Sequence, residues 1–201
     1  MDRLDWAFAG RSERGPPTKQ GAGGDQGEEK ATAHGVYHHT IDSRHVDPTG
    51  VRDEGHFYDY EEDAGGAQGL ELEKGEMENS ATGLVQKYEE LWADVPVEIL
   101  PADEGKRFCV VLKTADGKGM VIRVGQFCQG VLRNGQDMVV ERWRWDAGGE
   151  GRKGDAMWKR LVRMGQGQVP CNATFETSEV AKGRVFELGG NKWTVEEVVR
   201  W

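Results

Sequence analysis

The chain has 201 residues, room for one or two domains, and its 29 Gly are about twice the usual share, so turns are abundant. A net charge of −9 argues against a protein that tracks nucleic-acid phosphates, and three Cys without CxxC spacing argue against a disulfide scaffold or a cysteine zinc site. No apolar run approaches the ~20 residues of a membrane helix, and Met1-Asp2-Arg3-Leu4-Asp5 does not read as a secretory signal, so the expectation is a soluble intracellular protein.

Residues 1–94 carry 9 Lys/Arg against 21 Asp/Glu, a net of −12, and hold all five His. Residues 95–201 carry 17 against 14, a net of +3, and hold all three Cys. The shift falls at Trp92-Ala93-Asp94-Val95-Pro96 and predicts an N-terminal domain over 1–94 and a C-terminal domain over 95–201. Inside the first, Arg11 to Ala33 has no Val, Ile, Leu, Met or aromatic residue, but Pro16, Pro17 and many Gly. Nothing there offsets the cost of ordering the backbone, which predicts a disordered glycine-rich loop. Val46–Gly55 and Asp59–Gly69 read mostly as turn or solvent-exposed material, and Leu84–Trp92 fits either helix or strand.

The second part reads as strands. Phe108–Lys113 and Met120–Val124 flank Asp116-Gly117, a hairpin signal, and Val131–Arg133 and Met138–Trp145 flank Asn134-Gly135. Trp158–Met164 continues the series, and Gly189-Gly190-Asn191 joins Arg184–Leu188 to Lys192–Val195. Strands every ~10–12 residues with Gly-bearing turns indicate a barrel or sandwich. Alternation places Trp143 and Trp145 on one face and Arg142 and Arg144 on the other. An aromatic platform for single-stranded nucleic acid would use such a strand, but the charge is adverse and no second basic-aromatic strand supports it. Two core Trp with Arg outside is the preferred reading. This density of strands, with five of the seven Trp, makes 95–201 the expected independently stable unit.

A weak internal repeat runs through both parts. Phe8-Ala9-Gly10 is echoed by Phe127-Cys128-Gln129-Gly130, Ile41-Asp42 by Trp145-Asp146, and Glu89-Glu90 by Glu196-Glu197, in the same order. The second copy has two further strands, Phe108 to Val124, ahead of its Phe-Cys-Gln-Gly, whereas the first has only Met1 to Ala7.

Leu4–Gly10, Ile41-Asp42-Ser43-Arg44, Val51–Gly55, Leu72–Met77, Asn79–Gly83, Tyr88-Glu89-Glu90-Leu91-Trp92, Gly125–Gly130, Val140-Glu141-Arg142-Trp143 and Trp193–Glu197 resemble, in their shared order, the fungal Hri protein family. That resemblance implies an all-β fold of two lipocalin-like antiparallel β-barrel domains and no known enzymatic activity. It also implies interaction with a casein-kinase-I-type protein kinase and a cytoplasmic and nuclear location. It implies N-terminal strands that this sequence lacks, so the first barrel is expected to be incomplete, with open edges that invite self-association.

The chemistry-bearing residues are sparse. His34, His38 and His39, with Asp42, His45 and His56, are the best metal candidates, but adjacent His on a strand point to opposite faces, and neither HExxH nor finger spacing occurs. Cys109, among apolar neighbours, reads as a core residue, and the carboxylates from Glu71 to Glu78 read as a solvated face. The sequence therefore predicts no catalytic, metal or cofactor-binding residues, and neither a nucleic-acid nor a membrane partner. It predicts a non-enzymatic interaction protein. The alternative is a carrier of a small apolar ligand in the C-terminal barrel, whose interior contacts would be Phe127, Trp143, Trp145 and Trp193.

Overall fold

The computed structural model describes residues 6–17, 30–60, 69–79, 81–148 and 157–201. These residues form twelve strands and three short 3-10 turns, with no α-helix. The fold is all-β, two antiparallel sheets of which one is a curled half-barrel, consistent with lipocalin-like barrels.

The first sheet holds β1 (Phe8–Gly15), β2 (Ala33–Asp42), β3 (Arg52–Tyr60), β4 (Leu70–Asn79) and β5 (Leu84–Ala93) in chain order, so β1 and β5 are its edges. Arg11–Ala33, expected to be a disordered loop, is strand at both ends. Arg11–Gly15 completes β1 and Ala33 opens β2, while residues 18–29 lie outside those described. The expectation does not hold for Arg11–Gly15, because β1 is an edge strand exposed from Gly10 onward, held by backbone pairing rather than by apolar side chains. Arg52–Gly55 and Asp59-Tyr60, read mostly as turn or solvent-exposed material, are part of β3, where Arg52, Glu54, Asp59 and Tyr60 are exposed. Leu84–Trp92 settles as strand, paired with β4 from Asn79↔Leu84 to Leu70↔Ala93.

The second sheet has the order β10 (Met157–Met164), β9 (Asp137–Asp146), β8 (Phe127–Asn134), β7 (Gly119–Val124), β6 (Phe108–Thr114), β12 (Asn191–Arg200) and β11 (Val185–Leu188). Its hairpins at the predicted turns have short loops, four residues between Thr114 and Gly119 around Asp116-Gly117, and two each between Asn134 and Asp137 and between Leu188 and Asn191. Gly189 and Gly190 connect Leu188 to Asn191 with φ of 60° and 79°, a left-handed pair that glycine adopts without a Cβ clash. The repeat is visible in the topology. The echoed segments fall on β1 and β8, β2 and β9, and β5 and β12, while β6 and β7 are the extra pair.

Contacts divide the chain into two compact units. One takes Gly10–His39 and Thr49–Pro96; the other takes Val97–Trp201 together with Thr40–Pro48 and the residues before Gly10. In the latter, Phe108, Val110, Leu112, Val121, Cys128, Leu132, Val139, Trp193 and Val195 form a buried core on one face of the second sheet. On the other face, Ile41 packs with Val131 and Met138. The Trp6 indole donates to Asp42 Oδ1 at 3.1 Å and Arg133 donates to the Asp42 carbonyl, which ties residues 40–48 into this unit. Cys128 and Cys171 are buried. Cys109, expected in the core, is half-buried on the face away from it, because core positions in β6 are Phe108, Val110 and Leu112.

Candidate functional site

In β9 both Trp are part-buried and both Arg exposed, as the alternation requires. Cys128 stands opposite Trp143, which places Trp143 on the core face. Trp143 meets Phe175 edge-on at 5.4 Å, Phe175 stacks on Trp158 at 4.3 Å, and Trp158 meets Trp145 edge-on at 5.9 Å. Trp193 is fully buried in the same core. Phe127 does not join them. The register sets it opposite Arg144, whose guanidinium lies 5.6 Å over its ring on the far face. Three of the four expected interior residues thus share a face, where aromatic side chains pack on one another.

The first sheet offers a different surface, an open cleft of about 750 Å³. Strand pairing builds it row by row. His34 faces His56 across β2–β3, His56 faces Lys74 across β3–β4, and Lys74 faces Glu89 across β4–β5. The two imidazoles lie 4.8 Å apart, Glu54 Oε2 is 3.6 Å from His34 Nε2, and Lys74 sits 4.8 Å over the Tyr58 ring and 3.9 Å from Glu89. Glu76 faces Lys87 beside them. Cross-strand pairs of this kind each contribute roughly 0.2–1 kcal/mol, and their heads remain available to a polar partner. The other metal candidates disperse. His38 lies near Glu13 at 3.6 Å, His39 pairs with Asp53 at 2.9 Å on the opposite face, and His45 bonds Asp42 at 3.2 Å. Among the described residues, no three His, Cys, Asp or Glu are gathered as metal ligands.

His56 titrates below its ordinary value of 6.5, through burial first and the neighbouring His34 second, with Glu54 opposing. Its neutral form is therefore favoured by folding. Stability should be level above pH 6.5 and fall as pH drops through 6.5 toward the lower folded value. Thermal melts above the carboxylate range should show this loss, and His56→Gln should flatten it. An unchanged slope in the variant would contradict the assignment.

The reverse face of the first sheet holds what the sequence concealed. Glu73, within the run read as a solvated face, is 1% exposed, and its oxygens accept hydrogen bonds from Tyr88 at 2.9 Å and Tyr37 at 3.1 Å. Burial and the Glu73 charge push both phenols well above their ordinary range, and burial beside Glu73 and Asp53 raises the Glu90 carboxyl. Gly55 and Gly75, opposite each other in register, make the room, since a Cβ on either would overlap Glu73 or Tyr88. Glycine inside a strand was the available signal of this close approach.

Two antiparallel sheets, one with a packed aromatic face and the other with a charged open face, make an all-β fold consistent with lipocalin-like barrels. The model of the family described as Protein HRI1 matches residues 1–197, and the chain belongs to that family. No curated protein matches the chain, and no solved structure does.

Proposed function

We propose that this chain is a non-enzymatic intracellular interaction protein whose partner is a casein-kinase-I-type protein kinase, met in the cytoplasm and nucleus. Membership of the HRI1 family over residues 1–197 carries the reading. The mutual packing of Trp143, Phe175, Trp158 and Trp145 supports it, because those side chains occupy space that a carrier would keep for cargo. The charged cleft of the first sheet supplies exposed groups of both signs for a protein surface. The second reading, a carrier of a small apolar ligand, is favoured by one feature. The Trp193 indole N–H is buried with no acceptor among the described residues.

The test is a titration of the purified chain against a purified casein-kinase-I-type kinase, with an unrelated kinase as control. Saturable binding to the first alone is expected. Absence of binding, or equal binding to both, contradicts the proposal.

A further inference from the structure

We propose that the outer edge of β5 is a self-complementary docking strand, on which two copies of this chain pair antiparallel about a two-fold axis at Tyr88. This inference is independent of the kinase and of any apolar ligand.

β5 pairs with β4 over its whole length without a register shift, and nothing else pairs with it among the described residues. One side of the strand therefore presents a row of unpaired backbone N–H and C=O groups. In the second sheet the corresponding strand, β12, is flanked on both sides, by β11 and by β6. Natural edges are usually guarded by proline, bulges or several lysines, whereas β5 has one Lys, no Pro and no bulge. Near its ends it exposes large apolar side chains: Leu84 62%, Val85 67%, Leu91 51% and Trp92 46%.

The sequence Leu84-Val85-Gln86-Lys87-Tyr88-Glu89-Glu90-Leu91-Trp92 says what fits there. A two-fold axis normal to the sheet keeps each face in register and sets residues equally distant from Tyr88 opposite each other. Lys87 then meets Glu89 of the second copy, Gln86 meets Glu90, Val85 meets Leu91, and Leu84 meets Trp92. Each of these pairs occurs twice. Moving the axis one residue, to Lys87 or to Glu89, puts like charges face to face, so the centre at Tyr88 is selected. Because Glu76 already faces Lys87 and Lys74 faces Glu89 within each copy, the joined sheets carry a row of alternating sign, Glu76–Lys87–Glu89–Lys74. Such pairing is β-augmentation with an identical strand, an isologous interface that closes as a dimer.

Sedimentation velocity on the full chain at high micromolar concentration tests this. The parent should be a dimer. Lys87→Glu brings Glu against Glu89 at both symmetric positions and should weaken the dimer by about tenfold or more, and Glu89→Lys should do the same. Mixed in equal amounts, the two variants become complementary and should form a heterodimer as tight as the parent. Both side chains are exposed, so each variant should fold, which circular dichroism melts verify. A monomeric parent, variants that dimerise alone as well as the parent, or a mixture that stays monomeric would each overturn the proposal.

Discussion

Replacement of Asp103 by Ala should lower the stability of the unit that contains the second sheet by about 3–5 kcal/mol, the usual consequence of leaving one partner of a buried ion pair alone. The Asp103 and Arg123 side chains are both completely buried, with Arg123 Nη2 2.5 Å from Asp103 Oδ1. The guanidinium also donates through Nε to the Gly125 carbonyl at 3.0 Å and through Nη1 to the Thr174 carbonyl at 2.7 Å. Asp103 Oδ2 in turn accepts from the Leu100 N–H at 3.0 Å. One ion pair therefore fastens the Pro101–Asp103 turn, the end of β7 and the Cys171–Thr174 turn to one another. Phe108 and Trp158 lie about the same guanidinium, each ring centroid 5.0 Å away, so water cannot readily replace the lost carboxylate. Urea unfolding of the variant measures the cost. Adding Arg123→Met should recover part of it by removing the stranded charge, yet not all, since the Gly125 and Thr174 carbonyls lose their donor. A loss below about 1 kcal/mol for Asp103→Ala would mean that the pair is solvated.

Trp193→Ala should cost a comparable ~3–5 kcal/mol, the range for a large aromatic removed from a core that collapses poorly. Trp193 is wholly buried, and the backbone around it is close: a Cβ at Gly119 would sit 2.5 Å from its ring. The contrast is on β9, where Arg144→Ala should cost well under ~1 kcal/mol because its side chain is exposed on the other face. Chemical denaturation of the two variants against the parent distinguishes them. Equal losses would overturn the assignment of faces.

The strands that alternate cleanly were legible. Trp143 and Trp145 against Arg142 and Arg144, with Asn134-Gly135 before them, specify both a strand and its facing. The repeat likewise anticipated that β6 and β7 are a pair added to the second sheet. Three things were hidden for separate physical reasons. β1 is held by main-chain pairing and carries no pattern, so its residues look like linker. Phe127 opens a run, Phe-Cys-Gln-Gly-Val-Leu-Arg, with little alternation, because apolar groups pack on both faces of β8. The His34–His56 row and the burial of Glu73 depend on register between β2, β3 and β4, which strand composition does not record. Only Gly55 and Gly75 marked the place.

Whether the second sheet is filled by its own side chains is tested most directly by native mass spectrometry of the chain purified under non-denaturing conditions from the cells that express it. The expected spectrum contains the polypeptide mass alone, or its whole multiples, because Trp143, Trp145, Trp158 and Phe175 pack on one another over the Trp193 core. A stoichiometric adduct of a small apolar molecule, lost on denaturation, would contradict it and establish the chain as a carrier.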